Sequence, residues 1–266
     1  IKDTDQFNDT FQTLTTQIPV APTYFFQKLW EDLDYQQFVQ NDSGDEERGA
    51  YRELWLEADR QAKRSLHQFL RQESRWNEFD LVAKALENLP EGSVLHLANS
   101  MPVRYANLIG LTHFAEVFAN RGTSGIDGCT STALGAALIT DKPVFIFTGD
   151  VAFFYDRNAL WHPHVPANLR VVLFNNGGGN IFRLIDGPSA QPELEQYFET
   201  RHTATARATA TEAGLAYYSL KEGDDFSTVW NAFIAQTVSA KLLEIFTDPY
   251  INGEVFTAYR NRTMGN

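Results

Sequence analysis

Val144-Phe145-Ile146-Phe147-Thr148-Gly149-Asp150 and, further on, Val171-Val172-Leu173-Phe174-Asn175-Asn176-Gly177-Gly178-Gly179-Asn180 decide the fold. Each opens on a short apolar run rich in β-branched and aromatic residues and closes on glycine and polar residues, the pattern of a buried strand followed by a turn. Tyr155 to Trp161 between them reads as helix, so the two strands are expected to lie parallel and adjacent. Asp150 then stands at the carboxyl end of one strand, and Asn176, 26 positions later, at the carboxyl end of the other. Open α/β sheets bind ligands at those ends. A carboxylate, a side-chain carbonyl and a loop carbonyl form a hard-oxygen donor set with room for phosphate oxygens, which suits Mg²⁺ rather than zinc. The same residue types also have ordinary uses, since aspartate caps helices and asparagine forms turns.

Outward from this pair, strands and helices alternate. Val94 to Ala98, Ala115 to Ala119 and Leu242 to Phe246 read as strands. Helices are expected over Phe79 to Leu89, Val103 to Leu111, the alanine-rich Ser131 to Ile139, Ala208 to Ala213, Phe226 to Val238 and Val255 to Tyr259. Such alternation predicts a three-layer α/β/α domain with a mainly parallel sheet. Tyr51 to Glu73 repeats apolar residues at helical spacing (Leu54, Ala58, Ala62, Leu66, Phe69, Leu70) and predicts a long amphipathic helix. Residues 1–40 hold apolar patches such as Tyr24-Phe25-Phe26 but no complete unit, and are expected to be the tail of a preceding domain. The acidic stretch within 41–50 is expected to be a linker, with the main domain over 51–266.

Composition bounds the function. The 266 residues carry a net charge of −12, which repels nucleic acid and anionic lipid and equally a dicarboxylate substrate, so any anionic substrate needs local arginines. Twenty Phe and 43% apolar residues are ample for a core, and no stretch of eighteen apolar residues suggests a membrane span. Cys129, the lone cysteine, fits a reducing compartment and hence a cytoplasmic location. It reads as a packed, inert thiol, and His162 and His164 as structural or surface histidines rather than a zinc site.

The Gly-Asp and Asn-Asn pair at this spacing resembles the diphosphate-anchoring motif of thiamine diphosphate enzymes. Two further runs, Asn99-Ser100-Met101-Pro102-Val103-Arg104 and Asn120-Arg121-Gly122-Thr123-Ser124-Gly125-Ile126-Asp127-Gly128, narrow the resemblance. With Tyr155-Asp156-Arg157-Asn158-Ala159-Leu160 and Asn176 to Phe182, they resemble the 2-succinyl-5-enolpyruvyl-6-hydroxy-3-cyclohexene-1-carboxylate synthase (MenD) family of menaquinone biosynthesis, from about residue 50 to the end.

The resemblance implies a thiamine diphosphate-binding fold, Mg²⁺ as the metal (with Mn²⁺ as a substitute) and a transferase that decarboxylates 2-oxoglutarate and adds the succinyl-semialdehyde carbanion equivalent to isochorismate. It implies that Asp150, Asn176 and the Gly178 carbonyl ligate the metal. Gly149, Val151, Ala152 and Asn180 would border the diphosphate, with Ala152 in place of an expected hydroxyl and the backbone N–H groups of Val151 and Ala152 free at a helix start. Ile126 would prop the cofactor in its bent form. Ser100, Arg104 and Arg121 would face substrate, because a guanidinium matches a carboxylate with two bonds. Ile181 and Phe182, with Ile185 behind them, would wall the pocket. By residue type alone, Ile126, Ile181 and Phe182 are equally core residues, the arginines equally surface charges, and Asp127 a holder of its own loop.

Enzymes of this class take their activating glutamate from a separate domain, usually a partner subunit's, and no segment here resembles it. The chain is therefore expected to be inactive alone and to belong to a homodimer or homotetramer at full length. Two other readings stand beside this one: another thiamine diphosphate-dependent 2-oxoacid decarboxylase or carboligase, and an α/β module without catalysis. Whether Gly187 to Pro192 closes over substrate is left open.

Overall fold

A computed structural model describes residues 1–3, 9, 12–32, 46–111, 116–235 and 238–264. Two compact units divide the chain, Ile1–Gln61 and Ala62–Asn266. Helix α1 (Pro22–Asp32) lies in the first. Helix α2 (Glu46–Gln72) begins inside the stretch expected as a linker: residues 46–50 are helical, 41–45 lie outside the described residues, and the unit boundary falls within the helix.

The second unit is built on six parallel strands: β1 (Val94–Leu97), β2 (Glu116–Ala119), β3 (Val144–Gly149), β4 (Leu169–Asn175), β5 (Ala216–Leu220) and β6 (Lys241–Phe246). Their order is β2-β1-β3-β4-β6-β5, all parallel. The two-residue side-chain period of a strand sorts the core onto two faces. Phe145, Phe147, Val172, Phe174, Leu243 and Ile245 point to one face. Val144, Ile146, Val171, Leu173 and Leu242 point to the other. Helices α3 (Glu78–Glu87), α4 (Met101–Ile109), α8 (Phe226–Ile234) and α9 (Pro249–Met264) cover the first face. Their large side chains, among them Phe79, Tyr105, Trp230 and Phe233, are fully buried there. The second face takes α5 (Cys129–Ala137), α6 (Asp150–Tyr155) and α7 (Arg207–Glu212). Cys129, Ala133 and Ala137 are small enough for α5 to pack closely on the strands.

The three-layer parallel architecture is as expected, with differences at element ends. Strand β5 was not foreseen, because on this edge strand only Leu220 is buried and no alternation shows. The helix expected over Tyr155 to Trp161 is instead α6, ending at Tyr155, followed by a 3₁₀ turn at Arg157–Leu160. Asp156 breaks the helix (φ −112°, ψ 17°), and its carboxylate accepts the Ser131 N–H at 2.7 Å and hydroxyl at 2.6 Å. The helix expected to reach Val238 ends at Ile234, while residues 236–237 lie outside the described residues. Two buried cations terminate it: Lys241 Nζ donates to the Ala232 and Ala235 carbonyls at 2.7 and 2.8 Å, and Arg170 Nη2 to Ala235 at 3.3 Å. Cations suit the negative end of a helix. Ala115, the expected start of β2, also lies outside the described residues, and β2 begins at Glu116. Pro188–Ala190 in the loop left open above forms a 3₁₀ turn. No described helix is long and apolar enough to cross a membrane.

The order of the strands also places the site. From β1 the chain passes outward to β2, whereas from β3 it passes the opposite way to β4. Connections that diverge like this leave a crevice outside the carboxyl ends of the two central strands. Asn99-Ser100 follow β1 and Asp150 follows β3, so both border it.

Candidate active site

Asp150 is 2% exposed at the junction of β3 and α6. Its Oδ2 accepts backbone N–H bonds from Asn176 at 3.1 Å, Gly177 at 2.7 Å and Gly178 at 2.9 Å. A single carboxylate oxygen therefore staples the turn after β4 to the end of β3. Among the described residues Oδ1 accepts only the Val151 N–H, at 2.7 Å, and keeps acceptor capacity. The Val151 N–H expected to be free is thus already used, leaving Ala152 in the first turn of α6 without an intrahelical partner. His202 Nε2 lies 3.4 Å from Oδ2, and Asp150 raises its pKa.

The glycines let the turn approach a neighbouring backbone. Gly178 has φ +156°, and a Cβ there would lie 2.7 Å from the Glu199 carbonyl oxygen, which accepts the Gly179 N–H at 2.7 Å. Glu199 is itself held by Arg183, whose Nε and Nη2 meet its two carboxylate oxygens at 2.8 Å each.

Asn176 donates its Nδ2 to Glu78 Oε2 at 2.9 Å, while its Oδ1 is buried with no hydrogen-bond partner. Both side-chain polar atoms of Asn180 are likewise buried and unpartnered. Glu78 lines the same cavity, and burial first, then Asp150, pushes its pKa up to about 7 against the Asn176 hydrogen bond. Three oxygens of residues that line the cavity keep acceptor capacity: Asp150 Oδ1, the orphaned Asn176 Oδ1, and the Gly178 carbonyl, which accepts the Asn180 N–H at 3.0 Å and has a second lone pair. An oxygen set with an unpaired buried acceptor fits Mg²⁺ or Mn²⁺ and would leave positions for phosphate oxygens.

The opposite wall comes from β1 and β2. Ser100 caps α4 in a left-handed conformation (φ +77°, ψ −130°), the kind of strain that clusters at ligand sites. Arg104 Nη1 donates to the Ser100 carbonyl at 2.7 Å. Arg121 Nη1 donates to Asn99 Oδ1, and Asn99 Nδ2 to the Ser124 carbonyl, so Asn99 links the two loops. Burial and the charge of Arg121 lower the Arg104 pKa. Neither arginine pairs with a carboxylate among the described residues, so two cations share a cleft in a protein of net charge −12.

The two sides enclose one cavity of about 400 Å³, with Gly177, Arg183, Glu199 and His202 behind its lining. Ser100, Arg104, Arg121 and Ile126 lie on the β1–β2 side; Gly149, Asp150, Val151, Ala152, Asn176, Gly178 and Asn180 on the β3–β4 side; and Ile181, Phe182 and Ile185 form the wall beyond. Asp127 is not among the lining residues, and its Oδ1 lies against Gly125. Sequence reasoning missed Glu78. At the first position of a helix an acidic residue has an ordinary reason to be present, the helix dipole, so nothing in Trp76-Asn77-Glu78-Phe79 set it apart.

No family model matches the chain. It is 47% identical over 254 residues to the 2-succinyl-5-enolpyruvyl-6-hydroxy-3-cyclohexene-1-carboxylate synthase of Cytophaga hutchinsonii, covering 95% of this chain and 43% of that protein. The synthase of Desulfotalea psychrophila is 36% identical over 243 residues (91% of this chain, 41% of that protein). That of Porphyromonas gingivalis is 35% identical over 252 residues (94% and 43%). The chain thus spans less than half the length of these curated relatives. With such identity over nearly all its residues, the chain belongs to the 2-succinyl-5-enolpyruvyl-6-hydroxy-3-cyclohexene-1-carboxylate synthase (MenD) family.

Proposed function

We propose that residues 62–266 are the thiamine diphosphate- and Mg²⁺-binding domain of a menaquinone-pathway synthase that decarboxylates 2-oxoglutarate and joins the remaining four-carbon unit to isochorismate. One observation carries the reading: an oxygen donor set with an orphaned buried acceptor lies across one cleft from two arginines that have no carboxylate partner among the described residues. Thiamine diphosphate, when bound, supplies the electron sink for decarboxylation.

The chain's own residues supply placement. Asp150, Asn176 and Gly178 would hold the metal, and Gly149, Ala152 and Asn180 would border the diphosphate. Ile126 would prop the cofactor, while Ile181 and Phe182 exclude water and lower the local dielectric. Arg104 and Arg121 would fix substrate carboxylates, each charge-assisted bond contributing about 1.5–3 kcal/mol. Two such clamps also favour an anionic acceptor over the small neutral acceptors of other carboligases. Residues 1–40 are read as the end of a preceding domain. Turnover is assigned to the whole protein, as a homodimer or homotetramer in the cytoplasm, because the curated relatives are more than twice as long as the part matched. The 266 residues alone are expected to bind cofactor without turning over.

Calorimetric titration with thiamine diphosphate, with Mg²⁺ and then with chelator, tests this reading. Binding that needs the metal and vanishes in Asp150→Ala is expected; binding indifferent to both would refute the donor set.

A further inference from the structure

We infer that Glu78, with Asn252 behind it, is a positioning residue that fixes which atom of the Asn176 side chain faces the cleft. The inference rests on the metal-binding role proposed for Asn176. An asparagine amide has the same shape either way round, yet only its oxygen serves a cation; the flipped amide would aim NH₂ at the metal. Something must choose between the two.

The choice can be followed from a group that has no ambiguity. The Glu78 backbone N–H can only donate, and it donates to Asn252 Oδ1 at 2.8 Å. That fixes the Asn252 amide, whose Nδ2 is left to donate to Glu78 Oε2 at 3.3 Å and Thr247 Oγ1 at 2.9 Å. Oε2 is thereby an acceptor, and the second group it accepts is Asn176 Nδ2, at 2.9 Å. Asn176 Oδ1 must then point away from Glu78, where it is buried and unpartnered. Glu78 and Asn252 are 2% and 1% exposed, so water does not offer a competing partner to either side chain. The cost of holding a bare carbonyl in the cleft is met by this hydrogen-bonded relay, and Asn252 takes part without lining the cleft.

Mn²⁺ binding, followed by electron paramagnetic resonance with excess thiamine diphosphate present, tests the relay in the wild type and in Glu78→Gln, Glu78→Leu and Asn252→Ala. Glutamine keeps an acceptor oxygen for both amides, so Glu78→Gln is expected to stay within about threefold of the wild type. Loss of an orienting partner of a metal ligand typically weakens binding about 10–100-fold, and that is expected for Glu78→Leu and, at the lower end, Asn252→Ala. A purely structural role would lower the melting temperature of Glu78→Leu while leaving the Mn²⁺ affinity of the folded protein unchanged, and would overturn the inference. So would a glutamine variant as weak as the leucine one, since charge rather than orientation would then be at work. A wild-type protein that takes up no Mn²⁺ would remove the metal site itself, and the relay with it.

Discussion

The two sides of the cleft are held in different ways. On the β3–β4 side, backbone meets carboxylate: one Asp150 oxygen takes three consecutive N–H groups, and Gly178 lies against the Glu199 carbonyl. On the β1–β2 side, long side chains reach single carbonyl oxygens, Arg104 to Ser100 and Arg121 to Asn99. A backbone cradle cannot adjust to its ligand, and under the proposed function a diphosphate with its metal would present the same atoms each time. Arginine side chains can swing, which would suit the carboxylates of more than one proposed substrate. Stability should therefore reside on the first side and substrate discrimination on the second.

Asp150→Ala should show the largest effect. The Gly177 N–H keeps a second acceptor in Asn175 Oδ1 at 3.1 Å, but those of Asn176 and Gly178 lose theirs. Each buried orphan costs about 1–3 kcal/mol, so unfolding in urea is expected to show a loss of roughly 2 kcal/mol or more. Metal-dependent cofactor binding should disappear as well. A variant within about 1 kcal/mol of the wild type would mean that the staple is replaceable by water, and the contrast between the two sides would fail. Gly178→Ala comes next. Its Cβ would meet a backbone oxygen at 2.7 Å from a conformation side chains avoid, so the turn must shift. A loss of about 1–3 kcal/mol is expected, with cofactor binding weakened at least about tenfold.

How much of this was legible in the sequence depended on where each residue lay. The central strands were readable because Val144 to Phe147 and Val171 to Phe174 are buried throughout, which leaves a continuous apolar run. Edge strand β5 was not, since Tyr217 and Tyr218 are only half-buried and its pattern matches neither period. The lining residues were named because they fall in contiguous runs such as Asn99 to Arg104. Glu78 lies 98 positions from the Asn176 it holds, and Asn252 lies 174 from Glu78. Contacts at such distances are created by the sheet order and leave no local signal. The helix ends were misplaced for the same reason. Arg170, 65 positions before Ala235, holds the carbonyl at the end of α8, and Asp156 leaves α6 to cap α5, 25 positions earlier.

The other side of the cleft predicts the opposite balance. Arg121→Gln should leave stability within about 0.5 kcal/mol, because its one hydrogen bond can be remade by the amide or by water. Binding of 2-oxoglutarate in the cofactor-loaded full-length protein should weaken about 10- to 100-fold, from the loss of one charge-assisted contact. Arg121→Lys should recover only part of that, having a point charge but no planar fork. If Arg121→Gln instead destabilised the fold as much as Gly178→Ala, the arginine would be a structural tie between β1 and β2, and the division of labour would be wrong.

Ala152→Ser gives the smallest and finest test. Ala152 is 4% exposed and lines the cleft at the first turn of α6, where a hydroxyl could face the diphosphate. One neutral hydrogen bond contributes about 0.5–1.5 kcal/mol, so thiamine diphosphate should bind roughly two- to tenfold tighter. In the ligand-free protein the same hydroxyl lacks a partner, and stability should fall slightly. Calorimetry and thermal melting with and without cofactor separate the two effects. A gain at the low end means that the backbone cradle already meets most of what a diphosphate needs, so one more donor adds little. A gain well beyond tenfold would show that the β3–β4 side leaves a strong contact unmade, and that its rigidity serves the fold more than the ligand.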